Sequence, residues 1–350
     1  MGKRGSGKEH VVEKRRKLLQ TAADPTSRLT VLERQSVRPR TEVSYKKRVG
    51  DFIRWSREQK VNWRTVEEMD AVLTEYIQHL FSEGVHRSIT GHLYAGLAHY
   101  MALSTETARC SFPRALRAMK GWNRVEPDAT RIPTPFVAMA AVVALLGHWG
   151  LHRMALCTVL AFHAYLRPGE VCGLRVSQLV PPAQRSGLTG WALLLHEATY
   201  GVTGKARIHD ESVMVDWSVL FPMLQALVAG RPHGVFLWDF TVAQWRVQYA
   251  KAIARLGLDP AECALYALRH GGASSDWLEG RRDWNGVKLR GRWKSDATLK
   301  RYCKPAKLQQ ALNHLPRDVQ IIGQWARENL QLAVLGRIPS QLSRMPQFVV

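Results

Sequence analysis

The chain has 350 residues, 46% of them hydrophobic and 23% charged, which allows two packed domains and excludes a disordered polyelectrolyte. Its 50 Lys and Arg against 29 Asp and Glu leave a net charge of +21, an excess that favours a polyanionic partner, most simply nucleic acid. Cys110, Cys157, Cys172, Cys263 and Cys303 are scattered without a C-x-x-C pair, so neither a zinc ligand set nor a disulfide framework is indicated, as suits a reducing compartment.

Residues 1–40 are rich in charge and poor in aromatics and read as a basic arm, with a short helix around residues 11–23. The run Lys14-Arg15-Arg16-Lys17 has two readings, a nuclear localisation signal in a eukaryote or a phosphate-touching tail. No apolar segment of secretory type opens the chain, so an intracellular protein is expected, nuclear if eukaryotic. Over residues 41–126 the spacing predicts a helical domain. Val49, Phe52, Ile53 and Trp55 recur at helical intervals, as do Val72, Leu73, Tyr76, Ile77, Leu80 and Phe81, and two further helices are expected over 88–101 and 113–125. Pro127, Pro133 and Pro135 mark residues 127–135 as a linker.

A second domain is expected over residues 136–316. The apolar run from Phe136 to Gly147 is too short to span a bilayer and reads as a buried helix. A helix over 151–165 follows and delivers Arg167 to a Pro168-Gly169 turn, where the next helix begins. Trp191–His196 and Ser212–Val215 read as strands, with Gly201-Val-Thr-Gly204-Lys205 between them. Helices are predicted over 240–257 and 266–280, the latter with Arg269 on its first turn. Between Arg281 and Lys307, ten Lys or Arg stand against two Asp, with Trp284, Trp293 and Tyr302 interleaved. That composition suits either a solvated basic face or a segment beside a DNA backbone. Residues 317–350 read as an amphipathic helix and a tail. The fold class is therefore mainly α with a small antiparallel β-sheet.

Four local motifs in the second domain carry chemistry. Arg167 lies in Ala-Tyr-Leu-Arg-Pro-Gly-Glu-Val-Cys-Gly-Leu, Arg269 in Tyr266-Ala-Leu-Arg269-His270-Gly-Gly-Ala-Ser, and Trp293 in Gly291-Arg292-Trp293-Lys294-Ser295, with Tyr302 nine residues after Trp293. Two guanidiniums are permanently charged forks suited to the non-bridging oxygens of a phosphodiester. This set resembles the tyrosine recombinase, or phage integrase, family over residues 135–316, whose pattern runs Arg, Lys, His-x-x-Arg, His or Trp, Tyr.

The resemblance implies a helical core-binding domain that holds DNA, followed by an α+β catalytic domain. It implies Tyr302 as the nucleophile that becomes joined to a 3′ phosphate, Arg167 and Arg269 as the phosphate clamp, and Lys205 as the general acid for the departing 5′ oxygen. Tyr266 and Trp293 would orient phosphate oxygens, with Glu170 and His270 in support. It implies duplex DNA as substrate, a homo-oligomer assembled on it, a mobile-element setting, and no metal or other cofactor. Tyr266 departs from the family's usual histidine, and a phenol with an ordinary pKa of about 10 does not exchange protons near neutrality. That departure keeps open a catalytically degenerate DNA-binding descendant, and the shared chemistry keeps open an enzyme like a type IB topoisomerase.

Overall fold

The computed structural model describes residues 30–34, 36–104, 111–127, 131–183, 187, 189–196, 211–260 and 262–349. The described chain is mainly helical with a small three-stranded antiparallel sheet, and it divides into two compact units, residues 1–129 and 130–350. The expected helix at 11–23 and the basic run at 14–17 lie outside the described residues. Among the described residues, no helix is long and apolar enough to cross a membrane.

The first unit contains a short turn α1 (Val31–Arg34) and helices α2 (Pro39–Glu58), α3 (Val66–Ser82), α4 (Ser88–Ser104) and α5 (Pro113–Val125). Helix α2 thus starts at Pro39, slightly before the expected boundary at residue 41. Helix α3 opens with a capping box between Thr65 and Glu68. Helix α5 has no cap of its own. Its first free N–H groups, on Arg114 and Ala115, instead donate at 2.9 Å to the carboxylate of Asp70, which is buried on α3. A buried anion at the positive end of a helix satisfies orphan donors and ties α3 to α5. Phe52, Leu73, Leu93 and Phe112 are enclosed in the core. Helices α2 and α4 meet at Gly96, where a Cβ would stand 3.1 Å from Val49 Cγ2.

The second unit contains α6 (Phe136–His148), α7 (His152–His163), α8 (Pro168–Cys172), β1 (Leu179–Val180), β2 (Trp191–Leu195), β3 (Glu211–Val215), α9 (Phe221–Val228) and α10 (Val242–Arg255). After these come α11 (Ala267–Leu278), α12 (Trp284–Arg290), α13 (Asp296–Tyr302), α14 (Pro305–Asn313), α15 (Arg317–Glu328), α16 (Leu330–Val334) and α17 (Ser340–Ser343). Strand β2 is central and pairs Trp191 with Val215 and Leu193 with both Leu179 and Val213. Alternation buries Trp191, Leu193 and Leu195 on one face.

Helix α6 is apolar all round and accordingly central, with every residue from Ala138 to Leu146 fully enclosed. Helices α7 and α15 pack on it. A Cβ on Gly323 of α15 would stand 2.1 Å from the Val137 carbonyl oxygen, so the two backbones touch. Residues 317–334, read from the sequence as an amphipathic helix that could dock on a neighbouring subunit or complete its own domain, pack into the core of this unit. Pro133, Thr134 and Pro135 are buried in it as well, so the linker expectation runs too far. The short helices α12 and α13 carry their own caps: Asp283 accepts from Gly286 N–H at 2.7 Å and Ser295 from Thr298 N–H at 3.2 Å.

Candidate active site

Two helix ends shape the site. Helix α7 closes in a Schellman turn, in which Leu166 N–H donates to Ala161 O at 2.9 Å and Tyr165 N–H to Phe162 O at 3.3 Å. Helix α12 closes the same way, through Trp293 N–H to Lys288 O at 3.1 Å and Arg292 N–H to Leu289 O at 3.0 Å. The left-handed position of such a turn usually holds glycine. Here it holds Tyr165 at φ 49° and Arg292 at φ 56°. A non-glycine residue there costs on the order of 1–3 kcal/mol, so both side chains are under constraint to be what they are.

Helix α11 reaches these turns because Gly271 and Gly272 have no side chain. A Cβ on Gly272 would lie 2.1 Å from the Phe162 carbonyl oxygen. On the preceding residues of α11, Arg269 donates to the Tyr165 carbonyl and, at 2.6 Å, to the Gly291 carbonyl, joining the two turns. The Tyr165 phenol donates to Asp276.

Glu170, at the third position of α8, is the anionic hub. It accepts Arg167 N–H at 2.8 Å, the Arg167 guanidinium, and Arg292 at 2.7 Å, and it faces Arg269 at 3.8 Å. His196 Nε2 stands 3.5 Å away. Burial would raise the Glu170 carboxyl, but the Arg292 and Arg167 guanidiniums outweigh it and hold the group below its ordinary value. Arg292 did not emerge from the sequence. Its place depends on a helix-end turn that no spacing rule encodes, and only its adjacency to Trp293 pointed there.

Tyr302 is the last residue of α13, and its phenol oxygen lies 3.1 Å from that of Tyr266. The rings of Trp293 and Tyr302 cover Arg269, their centroids 4.9 and 5.3 Å from its guanidinium carbon. Arg269 is fully enclosed, whereas Arg167 is 27% exposed and Tyr266 and Tyr302 are half-buried. Burial and the neighbouring Arg292 and Arg167 bring Arg269 down to about 10, still a cation at neutral pH. The Nε atoms of Arg167 and Arg269, Nη1 of Arg292 and Nε1 of Trp293 are buried without an acceptor. Buried donors are rarely left unmet. Four in one cluster suit an anion.

His270 packs its ring 4.6 Å from that of Tyr302. Burial, with Lys304, Arg131 and Arg269 nearby, pushes it down to about 3, so it is a neutral packing partner. Ser274 donates to the Tyr302 carbonyl at 3.2 Å and accepts Lys304 N–H at 2.9 Å, fixing the end of α13. Arg131, also missed in the sequence, lies 4.5 Å above the Tyr266 ring. Lys205 lies outside the described residues. The site thus gathers Arg167, Glu170, Tyr266, Arg269, His270, Trp293 and Tyr302.

The basic segment 281–307 is less available than its composition implies. Arg281 and Arg282 each pair with Asp276 at 3.0 Å, Lys288 with Asp296 at 2.6 Å, and buried Arg290 with Asp216 at 3.3 Å. Trp284 packs edge-on against Trp277 at 5.4 Å. Lys294, Lys300, Arg301 and Lys307 remain on the surface. Among the described residues, no cluster of three or more His, Cys, Asp or Glu side chains is arranged to hold a metal ion.

No protein-family model and no curated protein matches the chain. Among solved structures, it is similar to a crystal structure of XerA recombinase, at 15% identity over 78% of this chain and 99% of that one, with a TM-score of 0.40. It is also similar to a Tn1549 transposon integrase in complex with transposon right end DNA, at 10% identity over 81% of this chain and 96% of that one, with a TM-score of 0.48.

Proposed function

We propose that the chain is a tyrosine recombinase that cuts and rejoins duplex DNA through a 3′-phosphotyrosyl bond at Tyr302. The observation that carries this reading is the hydrogen-bonded Tyr302 phenol beside a cluster of three guanidiniums, with four buried donors left for an anion. Tyr302 attacks the phosphorus, and the 5′ oxygen departs with a proton from a general acid, the role that family resemblance gives Lys205. Charge spreads over the phosphoryl oxygens in that transition state, and preorganised cations are the strongest available stabiliser. The bond to Tyr302 conserves the energy of the broken one, so a second 5′ hydroxyl reseals the strand. The net charge of +21 supports duplex DNA as the partner.

A second reading is a DNA-binding protein with a retired site. It is favoured by the full enclosure of Arg269, whose guanidinium lies beneath the rings of Trp293 and Tyr302.

Covalent trapping separates the two. Incubation with randomised nicked duplexes is expected to yield a denaturant-resistant DNA adduct whose peptide maps to Tyr302, and Tyr302→Phe is expected to fold and bind DNA without forming it. Adducts from the phenylalanine variant, or at another tyrosine, would overturn the assignment. No adduct on any duplex favours the retired site.

A further inference from the structure

We propose that Arg131 and Lys304 form a second anion site at the edge of the first, which takes the DNA phosphate neighbouring the one that Tyr302 attacks and so sets the strand in register. The inference rests on the reading of Tyr302 as nucleophile and adds to it a binding site outside the buried cluster of arginines.

Local structure brings the two cations together. The segment before α6 lies against α11: a Cβ on Gly271 would stand 2.1 Å from the Thr134 carbonyl oxygen, and Thr134 N–H donates to Ala267 O at 3.4 Å. Arg131 leaves that segment beside Tyr266, with its guanidinium carbon 4.5 Å from the ring centroid. Lys304 arrives from the end of α13. Ser274 accepts its N–H at 2.9 Å and donates to the Tyr302 carbonyl at 3.2 Å, so the lysine and the tyrosine share one anchor. Lys304 Nζ then donates to the Arg131 carbonyl at 3.0 Å and closes the two segments on each other.

The charge at this edge is unlike the charge within. Arg167 and Arg292 both bond Glu170, and Arg269 is engaged by two backbone carbonyls. Among the described residues, neither Arg131 nor Lys304 has a carboxylate partner. Arg131 is exposed and Lys304 partly so. An aromatic face orients a guanidinium without neutralising it and leaves its fork of N–H donors for a phosphate oxygen. The Tyr266 ring is that face. Lys304 Nζ keeps two further protons after its bond to the Arg131 carbonyl. Adjacent cations with no acid between them repel, and a bound anion removes that repulsion.

Spacing suits a neighbouring phosphate. The Tyr266 and Tyr302 oxygens are 3.1 Å apart, so the Tyr266 side chain bridges the Arg131 fork and the attacking atom. A strand of duplex DNA rises about 3.4 Å per phosphate along the axis, with the rest of each step running round the helix, and the span of one aromatic side chain is the reach between neighbours.

The test uses the full-length chain and reads binding apart from cleavage. In the Tyr302→Phe background, which is expected to form no adduct, equilibrium binding to a nicked randomised duplex is followed against salt. Arg131→Gln is expected to lower the slope of log affinity on log salt by about 0.9, the share of one phosphate contact, and the double variant with Lys304→Gln by about twice that. Both side chains reach the surface, so melting temperatures are expected to hold. An unchanged slope in folded Arg131→Gln overturns the site.

Location is read on the sequence recovered from the Tyr302 adduct, with a neutral methylphosphonate at the phosphate on either side of the attacked one. At one of these positions it is expected to lower adduct formation by the wild-type chain about tenfold, the scale of a charged hydrogen bond, and to cause no further loss in Arg131→Gln. Equal losses in the two proteins, or no loss at either position, overturn the placement beside the attacked phosphate. A missing adduct sinks the nucleophile reading and that placement with it, whereas the salt slope still decides whether Arg131 and Lys304 hold a phosphate.

Discussion

Arg292 and Glu170, 122 residues apart in sequence, are joined by a 2.7 Å hydrogen bond, and the arginine holds a left-handed backbone at φ 56° to make it. The side chain and the backbone of Arg292 therefore act in opposite directions on stability. Arg292→Ala loses the charged bond and keeps the backbone cost, while Arg292→Gly loses the bond and relieves that cost. The alanine variant is expected to be less stable than the glycine variant by about 1 kcal/mol. Equal urea midpoints for the two would show that the backbone cost is absorbed elsewhere.

Arg167 and Arg269 separate by burial. Arg167, partly exposed, is expected to tolerate alanine with little loss of melting temperature and a large loss of adduct formation. Arg269→Ala strands the Tyr165 and Gly291 carbonyls in the core and is expected to cost about 3–5 kcal/mol of stability, the scale of a broken buried charge contact. Similar thermal shifts in both variants would remove Arg269 from its place between the two turns.

Gly291 leaves no room for a side chain, since a Cβ would stand 1.9 Å from the Trp293 ring. Gly291→Ala is expected to destabilise by about 1–3 kcal/mol, as overpacking does, and to displace the indole from Arg269. Because the protein has 12 Trp, the local check is a crystal structure of the variant, read at the distance between Trp293 and Arg269. An unmoved indole would show that the backbone gives way instead.

Acid is expected to unfold the second unit early. His163 Nε2 accepts from Arg290 at 2.8 Å, so its imidazole is neutral and the 2.9 Å approach of Asp216 is no ion pair. Burial brings His163 down to about 4, and His270 to about 3, against about 6.5 in an unfolded chain. Between those values the unfolded chain binds protons that the folded one refuses, so stability falls as pH falls from about 6.5 toward 4. The slope approaches about 1.4 kcal/mol per pH unit for each histidine. Urea unfolding at stepped pH measures it, and His270→Gln is expected to reduce it. A flat profile would show that neither ring is neutral by burial.

The helices were legible where a stripe of apolar residues repeats. Val72, Leu73, Tyr76, Ile77 and Leu80 announced α3, and Phe136 to Gly147 announced α6. The short helices α12 and α13 were not, because a reading by charge passed over Asp283 and Ser295, the residues that cap them. At the site, Arg167, Tyr266, Arg269, Trp293 and Tyr302 were legible as residue types at fixed spacings. Arg292 and Arg131 were not: one is placed by a helix-end turn and the other by burial of the segment after it, Pro133 to Pro135. Asp70 illustrates the same limit in the first unit. Nothing beside it in sequence reveals that it caps a helix 44 residues away.

Helix α6 also has a consequence for biogenesis. All of its faces are apolar, and one of them is covered by α15, whose Gly323 meets the Val137 carbonyl across nearly 190 positions of sequence. During synthesis this helix emerges with nothing yet made to shelter that face, and it waits through the sheet and through Arg167, Arg269 and Arg292 before its partner leaves the ribosome. Contacts this distant in sequence form slowly, and exposed apolar surface in the interval invites association. The second unit is therefore expected to fold late, only after the segment around Gly323 has been translated.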